Sequence, residues 1–372
     1  MRLLISTIIS LFICLNVYSA AETMYVTVSG AGDNSGDSWA NAMALSDFDT
    51  DLTTNSEAGD IYYIEEGTYT LTEDLSTGND GTTTNLISFI GVKSGTSNQP
   101  PVASDWAYGD NRPLFACSSY AFSVDNYFLF RNIRSTGVDP SLLAIDIGGI
   151  FINCKAHNSS ETADRDAFSL DGTDYIMLYC EGISNNGYAI GAAGDGKVAS
   201  SYFHDSKVGA DVSVEVAVIG NIFDTCTTGL EVSGDNLIMN NTFYNNTTGL
   251  DGGTSEALAI VNNFFDNNAT GATVDTALDS NILENNVWSN NTTDVTNLTK
   301  GGNAVTSDIS LTDPANGDFT LPDSSNAEDA GMCVGVNTGA TGSYTWNIGA
   351  DQTDTQSGGA GGGTYGGSFT NF

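Results

Sequence analysis

Between Phe128 and Asn297 the apolar positions of this chain recur about every 22 residues, with neither the 3.6-residue spacing of an amphipathic helix nor the steady alternation of a half-buried strand. The segments IGNIFDTCTTGLEV, MNNTFYNNTTGLDG and VNNFFDNNATGATV are the clearest copies. They align Asn221, Asn241, Asn263 and Asn286 in one column at spacings of 20, 22 and 23. Extended backwards, the register adds Ser201, Cys180, Cys154 and Asn132, so the column has eight members. Two residues later stand Phe203, Phe223, Phe243, Phe265 and Trp288. Three residues earlier stand Leu129, Phe151, Met177, Val198, Val218, Ile238, Ile260 and Leu283, a column without a polar member, which must face inward.

A unit this short cannot bury its own apolar side and is stable only against its neighbours. The leucine spacing of a leucine-rich repeat is absent, and the units are rich in Asn, Thr, Gly and β-branched residues, which favour short strands and tight turns. The pattern therefore predicts a parallel β-helix with identical columns about 4.8 Å apart. Aromatic rings would stack in such columns, and buried Asn side chains would satisfy turn amides from rung to rung. The repeats occupy 121–300. Residues 22–120 predict an N-terminal cap and first coils, which close the exposed end of the core. Residues 301–356 predict a C-terminal cap and 357–372 a flexible Gly-rich tail.

The start of the chain has Arg2, an apolar stretch from Leu3 to Val17 and small residues Ser19 and Ala21, which predicts a signal peptide over 1–21 and a secreted, extracellular or cell-surface protein. No later segment approaches 18 consecutive apolar residues, so no membrane span is expected. The formal net charge of -36 argues against a nucleic-acid partner. Of the cysteines beyond the leader (Cys117, Cys154, Cys180, Cys226 and Cys333), Cys154 and Cys180 share a column and are expected to be a free buried pair rather than a disulfide. Asn158, Asn240, Asn268 and Asn291 stand in N-x-S/T strings but are expected to be ladder or turn residues first.

The opening YVTVSG, SWANAMAL, AGDIYYIEEGTYT and ISFIGVKSG, with the closing DFTLPDSSNAEDAG and WNIGADQ on the far side of Asn-rich coils, resemble secreted right-handed parallel β-helix proteins of the pectin-lyase-like superfamily. The resemblance spans nearly the whole chain beyond the leader. It implies an all-β, right-handed parallel β-helix with N- and C-terminal caps, and leaves activity open, because lyases, hydrolases, epimerases and adhesins share the scaffold. The NTD, DD, GHG and RxK strings of polygalacturonase-like hydrolases are missing. Lyases of the superfamily neutralise a uronate carboxylate with Ca2+ or basic groups and take the C5 proton with Lys or Arg.

Basic residues are scarce, so their clustering is informative. Arg131, Lys155, His157, Glu181, His204 and Asp224 flank the ladder column on rungs one to five and are expected on one outer face. Lys155 would be the base, Arg131 would orient substrate and a histidine would assist proton transfer; the alternative is a row of surface ion pairs. Asp211, Glu231 and Asp251 each follow the Gly of a rung by two residues, at spacings of 20 and 20. Such a column repels itself and is a candidate Ca2+ or substrate ridge, against the alternative of acids splayed into solvent. The expected role is binding or processing an extracellular polysaccharide, with lyase chemistry on a uronate polymer, by a monomer. The alternative is a non-catalytic acidic surface, adhesin or matrix protein.

Overall fold

The computed structural model describes residues 21–327, apart from residues 139–141, 162–164, 171, 193, 214, 255–256, 276–281 and 323–324 and the side chains of 142–146. The expected leader, the tail, most of the C-terminal cap and Cys333 therefore lie outside the described residues. Within them the chain winds into a parallel β-helix of three sheets. Sheet 1 has eleven strands, from Thr23–Val26 to Ile282–Glu284. Sheet 2 has ten, from Leu75–Ser76 to Thr293–Thr296, and sheet 3 has ten, from Thr68–Thr70 to Val287–Ser289. Each rung runs through sheet 1, then sheet 3, then sheet 2. Eight strands of sheet 1 start at or after Phe128, matching the repeat, and three precede it.

The turns explain the wealth of asparagine. Between sheets 1 and 3 one residue per rung has positive φ, among them Asn132, Asn153, Asn240, Asn262 and Asn285. Asparagine tolerates that conformation better than most residues. The residue after it points inward and builds the ladder. The amide N–H of Asn221 donates to Asn241 Oδ1, that of Asn241 to Asn263 Oδ1 and that of Asn263 to Asn286 Oδ1, at 2.9, 2.9 and 2.8 Å. Each ladder Nδ2 donates to a carbonyl of the preceding rung, as from Asn241 to Val218 O at 2.9 Å. A second ladder between sheets 3 and 2, unforeseen in the sequence, joins Cys226 to Asn246, Asn268 and Asn291 in the same manner. Three of the N-x-S/T asparagines, Asn158, Asn240 and Asn268, are accordingly buried.

The first rung corrects the expected register by one residue. Phe130, not Leu129, lies level with Phe151 inside the coil, because Asn132 occupies the positive-φ position shared with Asn153 and Ile133 holds the ladder column. Slipping a strand by one residue exchanges its faces, so Leu129 points outward. Cys117, Cys154, Cys180 and Cys226 are free thiols, all buried.

The core is one continuous apolar column. Phe203, Phe223, Phe243, Phe265 and Trp288 stack with successive centroid separations of 5.5, 5.0, 4.6 and 4.4 Å. At the N-terminal end, helix α1 (Leu45–Thr54) turns Phe48 and Leu52 inward, and Phe48 meets Tyr62, Phe89 and Phe122 edge-on. At the other end, residues 305–322 fold back over the outer face of sheet 3. Ile309, Leu311 and Phe319 cover Ile222, Phe264 and Val287, and Phe319 reaches Tyr244 and Tyr202. No helix of the described residues is long and apolar enough to cross a membrane.

Phe243 contacts rings above and below and is wholly buried. Phe243→Ala is therefore expected to destabilise the rod by about 3–5 kcal/mol, read as a shift in the denaturant midpoint; a change under about 1 kcal/mol would place this column outside the load-carrying core.

Candidate functional site

The covering segment stops at Tyr202, and among the described residues the outer face of sheet 3 is open on the rungs before it. There, backbone register stacks Arg134, Lys155, Glu181 and Tyr202 in one column. Two residues along each strand, Thr136, His157, Ile183, His204 and Asp224 form a second column on the same face. Strand alternation puts both columns outward.

Glu181 is the hub. Its Oε1 accepts from Lys155 Nζ at 2.6 Å and lies 3.2 Å from His204 Nε2. Burial opposes its ionisation, but the hydrogen bonds from His204 and Lys155 outweigh that and hold the carboxyl at about 2. His204 Nδ1 lies 2.8 Å from Asp205 Oδ2, so both ring nitrogens face carboxylates. Burial disfavours the imidazolium, yet these two acids raise the His204 pKa above its ordinary value. The ring stacks on Tyr202 at 4.2 Å, and the Tyr202 hydroxyl donates to Asp224 Oδ2 at 2.9 Å. Burial raises the pKa of Asp224, with the hydrogen bonds from Thr225 and Tyr202 as partial offsets.

His157 lies apart from this network, with Nε2 3.2 Å from Asn185 Oδ1. The amide oxygen can only accept, so in this orientation Nε2 carries the proton and the neutral form of the ring has its lone pair at Nδ1. Toward the N-terminal rungs an open depression of about 460 Å³ adjoins the same column, lined by Ser118, Ser119, Thr136, Gly137, Val138 and Ser159. A slightly larger one, lined by Leu311, Thr312 and Pro322 among others, contains no titratable side chain.

Five of the six sequence-selected residues thus share one outer face: Lys155, His157, Glu181, His204 and Asp224. Arg131 does not. The one-residue slip places it on sheet 1, level with Ile152, with its guanidinium 3.6 Å from the centroid of the Trp106 ring. Its place beside Lys155 is taken by Arg134, which the sequence reading missed and which pairs with the exposed Asp110 at 3.2 Å. Below the site, Arg112 is buried and donates to the Gly109 and Asn153 carbonyls.

Asp211, Glu231 and Asp251 form a true column, on sheet 2 and so away from this face. Burial raises the Asp211 pKa; burial and then the charge of Asp211 raise that of Glu231. Among the described residues, no group of three or more His, Cys, Asp and Glu is arranged to hold a metal ion.

Residues 159–327, under half of the chain, match the family described as "Periplasmic copper-binding protein (NosD)". No curated protein matches the chain. Among solved structures, the pectate lyase Pel9A aligns at 13% identity and TM-score 0.62, over 90% of this chain and 97% of that one. A rhamnogalacturonan lyase aligns at 13% identity and TM-score 0.56, over 82% and 95%. The chain therefore has the pectin-lyase-like right-handed parallel β-helix fold. The family description implies copper, which the described residues of the matched span do not fit: Cys180 and Cys226 are both buried and sit at different turns of the coil.

The Glu181–His204 pair contributes two limbs to the pH response. The stability contributed by Glu181 is complete above its ordinary value of 4.5 and is lost as the pH falls toward about 2. That contributed by His204 is complete below 6.5 and is lost as the pH rises beyond it. Denaturant midpoints measured across pH should show both limbs in the parent, only the acid limb in His204→Gln, and in Glu181→Gln no acid limb and an alkaline limb weakened to what Asp205 alone supports. Superimposable profiles would show that the pair is not coupled to folding.

Proposed function

We propose that the protein binds a uronate-bearing polysaccharide outside the cytoplasm, along the open rungs of sheet 3, and cleaves it by β-elimination. The carrying observation is the stack of Arg134 and Lys155, with His204 in the neighbouring column, which gathers basic groups on one face of a rod of net charge -36. An anionic polymer repelled elsewhere meets its counter-charges here. The lyase structures that share the fold, and the periplasmic family that matches part of the chain, support the substrate class and the compartment.

On this reading Lys155, ion-paired with Glu181, has a role different from the base expected of it. An ammonium already donating at 2.6 Å has no lone pair to offer. Lys155 and Arg134 instead hold the uronate carboxylate and stabilise the charge that develops when the adjacent C5 proton leaves. His157 takes that proton at Nδ1. The C4–C5 double bond forms, the C4–O glycosidic bond breaks, and the departing oxygen receives the proton from the His157 imidazolium. Glu181, anchored by His204, keeps the Lys155 ammonium in place and acts as a positioning residue.

The test is incubation with uronate polymers while following absorbance of the unsaturated product ends, with affinity measured separately. His157→Ala should lose turnover by at least about 100-fold with binding retained. Lys155→Ala with Arg134→Ala should lose binding. Binding without turnover by the parent on every uronate polymer tried would reduce the reading to a non-catalytic polysaccharide-binding protein, and absence of both would overturn it.

A further inference from the structure

Sheet 1 presents a different face to solvent. From Phe128–Arg131 to Ile282–Glu284, its eight strands stack two outward columns. One begins at Leu129 and ends at Ile282; the other begins at Arg131 and ends at Glu284. Between those ends the positions are Ile, Leu, Ala, Met and Val, broken only by Lys197. Leu237 and Ile282 are 38% and 55% exposed, and Leu129, Ile150, Ile176 and Ile219 are partly so. None of these residues belongs to the apolar clusters of the core, the N-terminal cap or the C-terminal cover. An apolar strip broken only by Lys197, on a chain with 46 acids, is not the surface of an isolated rod.

We infer that this strip is the interface of a two-fold, antiparallel dimer, in place of the monomer expected from the sequence. Three observations select a second copy. The first is area: eight strands at about 4.8 Å give a length of ~38 Å, and two outward positions with their side chains give a width of ~13 Å. Each copy then contributes ~500 Å² and the pair ~1,000 Å², the lower limit for a specific interface.

The second is charge along the column. A two-fold axis parallel to the strands reverses rung order and keeps each column against itself. Arg131 of one copy then faces Glu284 of the other at both ends of the strip, and Lys197 lies opposite the small Ala217. Among the described residues Arg131 stacks on Trp106 and has no carboxylate within ion-pair distance, and the Glu284 carboxylate receives only a long 3.5 Å contact from Asn303. The third is the repulsion between two rods of -36 each, which leaves a charge-poor face as the place where they can meet. A basic protein partner would instead seek the acidic faces.

Sedimentation velocity on the secreted chain tests this directly. A concentration-dependent dimer is expected, tightened by added NaCl because screening weakens the repulsion while the contact itself is apolar. Ile176→Lys with Leu237→Lys should give a monomer with an unchanged far-UV spectrum. Arg131→Glu or Glu284→Arg alone should weaken the dimer about tenfold, and the two together should restore it. A monomeric parent at every concentration overturns the inference. So does a monomer destabilised by the lysine substitutions, which would assign the cover to residues 328–372 of the same chain. An oligomer indifferent to all four substitutions, or one loosened by salt, overturns it as well.

Discussion

Everything in this molecule depends on satisfying the turns. A parallel β-helix buries its corners, and an unpaired amide at a buried corner costs about 1–3 kcal/mol. On the later rungs the chain solves this twice per rung with Asn side chains that accept from an amide and donate to a carbonyl of the preceding rung. Because a side chain at the same position closes the same corner each time, successive strands fall into register. The outward columns inherit that register, and so does any chemistry placed on them.

This dependence also explains what the sequence could and could not disclose. The inward apolar column and the ring stack were legible, since burial tolerates few residue types and those types repeat. The second ladder was not, because Ser184, Ser206 and Cys226 stand where Asn246, Asn268 and Asn291 later stand, and the column changes chemistry halfway. The slip at the first rung has a sharper cause. Asparagine suits both the positive-φ corner and the ladder beside it, so Asn132 reads equally well as either. Only its partner Asn153, also at positive φ, decides. That single ambiguity exchanged Arg134 for Arg131. The C-terminal cover left no periodic trace, because Ile309, Leu311 and Phe319 answer to residues on several rungs rather than to a repeat of their own.

The electrostatics of the site follow from burial more than from the number of charges. Glu181 is nearly inaccessible, so its interactions with Lys155 and His204 act where solvent screening is weak, whereas Arg134 and the exposed Asp110 form a pair of small consequence. Lys155 and His204 face Glu181 and Asp205 in equal number, and Arg134 adds a cation whose own partner, Asp110, is exposed. On a rod otherwise dominated by acids, that concentration of basic groups gives the surface a preferred place for anions.

The ladder is not uniform along the rod. At Asn221, Asn241, Asn263 and Asn286 each side chain also ties back to a carbonyl of the rung before, whereas Ser201, Cys180 and Cys154 donate to carbonyls two residues away on their own rung. The rungs that carry Lys155, Glu181 and His204 therefore hold together with fewer side-chain ties than those beyond them. A pull along the axis loads all rung interfaces in series, and the least tied yields first. The proposed polymer-binding face thus lies over the compliant section of the rod, so that tension on a molecule anchored at both ends would be felt first as a change of spacing between Lys155 and Glu181.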